Sequence, residues 1–185
     1  MLTRDEAIGV VKQHVKNEAL IKHMIAVGAI MRGLANEFGE DKTLWEVVGI
    51  LHDVDYESFG EDFSRHGAVS AEIVQAMLPD IGVYAIRAHN PLTGSSPKSR
   101  LDLALYSADA LSGLVIAMGL MMPDKKLASV KVTSLVKRMK DKSFARNVSR
   151  ENILRCSEIS LPLEEFMSIG LASMVENAME IGFNG

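Results

Sequence analysis

Three features of the sequence predict an all-α fold. Aromatic residues make up only 5% of the chain, while Met and Ala are frequent. No stretch shows the alternation of β-branched and polar residues that a half-buried strand needs. Apolar residues instead recur at three- and four-residue spacing, which marks one face of a helix. At 185 residues, 48% of them hydrophobic, the chain is long enough to bury the core of one domain.

Thr3 and Glu6 have the spacing of a capping box, in which each side chain satisfies a backbone N–H that the helix leaves unpaired. Ala7, Ile8, Val11 and Val15 follow at helical spacing, so a first helix is expected over about 4–16. A second, over 18–38, sets Leu20, Ile21, Met24, Ala26, Val27, Ile30, Met31, Leu34 and Phe38 along one broad face, with His23 near its start. Gly39 supplies its left-handed stop. Asp41 can cap a third helix, which carries Leu44, Trp45, Val47, Val48, Ile50 and Leu51 and runs into His52 and Asp53.

YESFGEDFS reads as a loop. A fourth helix is expected from near Ser64, through Ala68, Ala71, Ile73, Val74 and Met77 to a stop at Pro79, with His66 in its first turn. A short apolar helix over about 81–89 delivers His89. NPLTGSSPKS is the clearest loop and a candidate lid. RLDLALYSADALSGLVIAMGL, from about 99 to 120, is apolar almost all round, as a central helix is. Asp109, set among Leu105, Ala108, Leu111 and Leu114, is therefore expected to be a buried carboxylate in need of a cation.

The tail holds DKKLASVKVTSLVKRMKD, a segment through Phe144, and PLEEFMSIGLASMVENAMEIG. In the last of these, Pro162 suits a first helical position and Gly182 a C-terminal stop. No linker, repeat or low-complexity tract interrupts the chain, so residues 1–185 read as one domain.

Net charge is -4 with both signs interspersed, which argues against an extended basic field and against binding to extended nucleic acid. Cys156 is the only cysteine; it excludes an internal disulfide framework and reads as a small buried apolar side chain. MLTRDEAIGV carries charge where a signal peptide needs an apolar core, and no apolar run is read as reaching the ~18 residues of a membrane span. The expectation is a cytoplasmic protein that does not enter a membrane.

Of five histidines, His23, His52, His66 and His89 stand beside helix ends or apolar faces, and only His14 does not. Imidazoles and carboxylates are the ligands of first-row divalent metals, and helical bundles build such sites from several helices. Neighbouring residues on a helix project about 100° apart, so His52 and Asp53 can share one metal only near a helix end. The apolar-to-polar switch after Leu51 marks such an end.

The order His23, His52–Asp53, His66, His89, Asp109 is carried by KH, GILHDVDYE, HGAVSAEIV, IRAHN and YSADALSGL. This pattern closely resembles the HD-domain superfamily of metal-dependent phosphohydrolases, especially its small bacterial members, over about residues 18–120. The resemblance implies an HD-domain-like helical bundle with additional C-terminal helices over 121–185. It also implies one metal on His23, His52, Asp53 and Asp109, and a second on His66 and His89 with Asp53 bridging. The ions implied are one or two divalent transition metals, with Mn, Fe, Co or Ni favoured and Mg or Zn compatible.

In such a site a metal-bound hydroxide would attack a phosphomonoester or phosphodiester, and no protein nucleophile would be needed. The substrate implied is a small phosphorylated molecule of nucleotide kind, handled by a monomer or homodimer. Two other classes remain open on the same ligands: a di-iron oxygenase and a non-catalytic nucleotide sensor. Arg65, Arg87, Lys98 and Arg100 are the candidate phosphate partners by position. Val54, Asp55 and Tyr56 replace the Ile-Gly-Lys that often follows the His-Asp pair, so a family lysine is missing. Asp55, Tyr56 and Glu57 are candidates for orienting a ligand, or simply for capping a helix.

Overall fold

Side-chain caps set the helix boundaries in the N-terminal third of the chain. In the computed structural model, which describes residues 2–60 and 62–185, α1 (Arg4–His14) begins with the full Thr3–Glu6 capping box. It ends before the expected residue 16 because Val15 is extended and turns its side chain into the core. α2 (Glu18–Phe38) is capped by the Asn17 side chain and stops at Gly39 with φ 68°. α3 (Lys42–Leu51) is capped by Asp41, whose carboxylate accepts from the N–H groups of Thr43 and Leu44.

Glycines let α2 and α3 pack backbone to backbone. A Cβ on Gly49 would lie only 2.8 Å from Gly28 Cα. Beside this contact Glu46 is buried, a burden that two guanidinium groups relieve: Arg4 Nε donates to it at 3.0 Å and Arg32 Nη1 at 2.9 Å. This ties α1 to the α2–α3 pair.

α4 (Ala68–Val74) is shorter than expected at both ends. Gly67, at φ 80°, forms the turn that precedes it, so His66 lies before the helix and not in its first turn. Residues 75–77 are a turn, and Glu61 of the expected loop lies outside the described residues. α5 (Asp80–Ala88) ends at His89. α6 (Arg100–Met121) starts with a second capping box, Ser99 with Asp102, which explains one of the polar residues in its apolar sequence.

α6 is long and apolar enough to cross a membrane by length and composition, contrary to the expectation that no segment reaches that length. In the folded chain 67% of its apolar window is buried, against α2, α5, α8 and α9. The remaining helices are α7 (Val132–Met139), α8 (Arg150–Leu154), α9 (Leu163–Glu176) and α10 (Ala178–Ile181). Pro162 stands one residue ahead of α9, and Gly182 stops α10 at φ 96°. Cys156 is unpaired and buried, and burial pushes its thiol up.

The fold is thus all-α, with no strand among the described residues and one isolated bridge between Lys126 and Asn184. α9 covers α2 and α6 from the tail. Met24, Ile30, Leu34, Leu105, Leu111 and Phe166 lie fully buried where these helices meet. Each such side chain contributes about 1.5–3 kcal/mol through burial, which keeps the helix ends that carry the histidines in register.

Candidate metal centre

Two of the four histidines are held by the helices they terminate. The last carbonyls of a helix lack intrahelical partners, and an imidazole at the C-cap can satisfy one of them. His52 follows α3 and His89 follows α5. His52 Nδ1–H donates to the Gly49 carbonyl at 2.8 Å, and His89 Nδ1–H donates in the same way to the Ile86 carbonyl. A carbonyl can only accept, so in each neutral ring the proton is on Nδ1 and the Nε2 lone pair is free.

The other two are fixed by side chains. His66 Nδ1–H donates to Asp55 Oδ1 at 2.8 Å. Ser112 Oγ donates to the Asp109 carbonyl and accepts from His23 Nδ1–H at 3.0 Å. All four Nε2 atoms therefore point inward as acceptors. Asn90 adds a backbone tie, its amide donating to the carbonyls of Phe63 and His66. A Cβ on Gly67 would sit 3.0 Å from the His89 ring, so glycine is what allows the two histidines to approach.

These acceptors converge on Asp53, in the turn after α3. Asp53 Oδ1 lies 3.2 Å from His52 Nε2 and 3.3 Å from both His66 Nε2 and His89 Nε2. Asp53 Oδ2 faces His23 Nε2 at 3.7 Å. Asp109 Oδ1 lies 3.2 Å from His23 Nε2 and 3.8 Å from His52 Nε2. The Nε2 atoms of His66 and His89 are 3.2 Å apart. The structure thus gathers all six expected ligands, and two triads within them, His23–His52–Asp109 and His52–Asp53–His89, are close enough to hold an ion.

Six acceptors with no donor among them suit a cation. His52 Nε2 and Asp53 Oδ1 are buried and lack any hydrogen-bond partner. Such atoms cost about 1–3 kcal/mol each when left unmatched, and more when charged. The donor set of imidazoles and carboxylates fits a divalent first-row metal.

Without metal, protons and charge take up the strain. Burial pushes the Asp53 carboxyl up, but His52, His66 and His89 outweigh it and hold the group well below its usual range. Loss of water likewise pushes Asp109 up, and the neighbouring His23 and His52 imidazoles hold it below the ordinary carboxylate value. Burial lowers His66, yet Asp53 and Asp55 raise it to about 9.

Asp109 is not the buried carboxylate that its neighbours in sequence predict. Its side chain is 36% exposed, because its face of α6 borders a cavity of about 670 Å³ together with Leu20, His23, Asp53, Tyr56 and His66. The apolar neighbours on α6 turn into the bundle instead.

Asp55 holds His66 in place and also accepts from the N–H groups of Gly67 and Ser70. Glu57 caps the start of α2, accepting from the N–H groups of Lys16 and Asn17. Tyr56 stands at the cavity wall beside His66. Ser112, Ser70 and Asn90 escaped the sequence reading; only the capping use of Asn before Pro-Leu carried a local signal.

The four basic residues expected near phosphate are not brought to this cavity, and no Lys or Arg borders it among the described residues. Arg100 lies over the Phe38 ring and pairs with Glu40, and Lys98 lies over the Tyr84 ring. Arg65 is exposed and Arg87 half-buried, both away from the wall. The NPLTGSSPKS loop does not border the cavity either: Tyr84 donates to the Ser96 carbonyl and Thr93 to that of Arg87, which fasten it to α5.

The HD domain family model matches residues 20–114, a segment that contains all six converging side chains. Ribonuclease Y of Desulfotalea psychrophila (strain LSv54 / DSM 12343) is 33% identical over 95 residues, covering 51% of this chain and 18% of that protein. The chain therefore spans less than a fifth of the relative's length. No solved structure matches. With the family model covering half of the chain and its six converging residues all inside the match, the protein belongs to the HD-domain family.

Proposed function

We propose that the protein is a metal-dependent phosphohydrolase acting on a phosphomonoester or phosphodiester of nucleotide kind. The convergence of four imidazole lone pairs on two carboxylates, with no donor between them, carries this reading. His23, His52, Asp53 and Asp109 would hold one ion, and His66 and His89, with Asp53 shared, the other. A bound divalent pair supplies positive charge to phosphoryl oxygens and lowers the pKa of water toward neutrality.

The chain's own residues do the rest. Asp53 faces both halves of the site, and the Nδ1 anchors keep all four rings in the tautomer that binds metal. Asp55 fixes His66 by accepting a hydrogen bond from its Nδ1–H. The cavity of about 670 Å³ is the size of a pocket for a nucleotide-sized ligand.

Metal analysis, with a screen of phosphomonoesters, nucleotides and dinucleotides in Mn²⁺, Co²⁺, Ni²⁺ and Mg²⁺, tests the proposal. Turnover is expected with at least one of these metals and should vanish in Asp53→Ala; turnover that survives the substitution rules the mechanism out. His66→Ala and His89→Ala should each lower the metal-to-protein ratio with the helical content retained. Dioxygen uptake by the iron-loaded protein, with no phosphoester hydrolysed, would favour the oxygenase reading instead.

A further inference from the structure

With no Lys or Arg at the cavity wall among the described residues, a substrate with several phosphates needs positive charge from elsewhere. The chain concentrates it in one segment. Residues 124–150 hold nine of the 20 Lys and Arg but only two of the 24 Asp and Glu. The overall charge of -4 conceals this, and the reading of evenly interspersed charge is revised accordingly.

Seven of these nine basic residues are exposed, Arg138 and Arg150 being half-buried. α7 turns Leu135 into the core, with Val132, Val136 and Met139 packed against it, which leaves Lys137 and Lys140 on the outer face. In the turn that follows, the Arg150 guanidinium donates to the carbonyls of Asp141, Phe144, Ala145 and Val148. Lys142 and Arg146 project, exposed, from this clasped turn.

The turn packs against α6 about one helical turn from Asp109. A Cβ on Gly113 would lie 2.9 Å from Val148 Cγ2. Gly113 is four residues from Asp109, on the same face of α6 and roughly 6 Å along its axis. At the cavity wall the Tyr56 ring is 43% exposed.

Single strands are held by a basic track for the phosphates together with an aromatic face for a base. Within 124–150 no large hydrophobic residue is exposed among the described residues, the exposed Leu120, Met121 and Leu154 lying outside it, so contact within the segment is made by charge. A stiff duplex could not bring a phosphoryl group down to the buried His66 and His89. We propose that the segment 124–150 binds the backbone of a single-stranded nucleic acid through Lys137, Lys140, Lys142 and Arg146, with a terminal base on Tyr56 and its phosphoester at the metal centre. The proposal rests on the phosphohydrolase reading. Its basic segment lies outside the residues 20–114 matched by the family model.

The test is fluorescence anisotropy of metal-loaded protein with a tagged oligothymidylate of about a dozen nucleotides. Between about 50 and 200 mM salt the log–log slope of affinity should be about −3, as expected for about four phosphate contacts. The Lys137→Glu/Lys140→Glu/Lys142→Glu variant should bind at least about ten-fold more weakly, and Tyr56→Ala about five-fold. Both should keep the wild-type circular dichroism and metal content. Lys42→Glu, which reverses a charge on α3 outside the segment and the cavity wall, should stay within about two-fold of wild type.

Three outcomes overturn the proposal: no binding at low salt, a triple variant that binds like wild type, or binding to phosphatidylserine vesicles in place of the oligonucleotide. Small phosphoesters still hydrolysed in any of these cases would leave the phosphohydrolase reading standing. Absence of all hydrolysis with metal bound would instead remove that reading.

Discussion

The Asp55 carboxylate takes three hydrogen bonds in a fully buried position, from His66 Nδ1 and from the backbone of Gly67 and Ser70. It lies behind His66 and not among the six converging residues. Asp55→Asn replaces an acceptor with a donor against at least one of those N–H groups, so stability should fall by about 1–3 kcal/mol. Metal affinity should fall about 10–100-fold as His66 loses its orientation. Thermal melting and metal titration would read the two effects separately, and an unchanged affinity would count against the orienting role. His66 also gives a pH dependence of definite sign. Its folded value of about 9 stands above the ordinary 6.5. The charged ring therefore stabilises the metal-free fold fully below about 6.5, and that contribution is lost as pH rises through about 9. A metal must displace this proton, so affinity should rise with pH up to about 9 and loading at pH 7 should release protons. Calorimetry in two buffers of different ionisation heat measures the release; identical heats in both would contradict it.

At the scale of elements, the approach of α2 to α3 at Gly28 and Gly49 fixes where α3 ends and so where His52 points. Gly49 is also the residue whose carbonyl holds the His52 ring. A methyl group at this position meets the backbone of Gly28, and backbone cannot rotate away. Gly49→Ala should therefore cost about 1–3 kcal/mol through overpacking, or about 2–4 °C in Tm per kcal/mol. Metal affinity should fall with it, and calorimetry of the metal-free and metal-loaded variant would separate the two losses. Helix ends governed by local caps were legible in the sequence: Thr3 with Glu6, Asp41, Gly39 and Gly182 act as their spacing predicts. α4 was not. Its start is set by Gly67, which lets the chain pass the His89 ring, a contact between residues far apart in sequence.

For the whole molecule, removal of metal should expose the electrostatic cost of its centre. A ligand at 100-fold its Kd stabilises the native state by about 2.7 kcal/mol, so chelation should lower Tm by roughly 5–10 °C in a chain of this length. Scanning calorimetry with and without a chelator checks this, and an unchanged Tm would mean that no ion is held there. The six converging residues were readable as an ordered set because their order along the chain resembles that of the HD-domain family. The surroundings of Asp109 were misread, since helical periodicity shows that a side chain leaves an apolar stripe but not which face borders a cavity. The candidate phosphate cations failed for the same reason, their neighbours in space being Phe38, Glu40 and Tyr84.

The sequence by itself determined the helical class and most of the caps, because these depend on interactions within a few positions of the chain, and its resemblance to the HD-domain family named the converging residues. Tertiary structure alone decided that all four Nε2 atoms point at Asp53 and Asp109, that Ser112 and Asp55 hold two of the rings, and that the basic turn of residues 141–148 rests on α6 one helical turn from Asp109. Those facts depend on how the helices pack against one another, and packing joins residues that no local spacing connects.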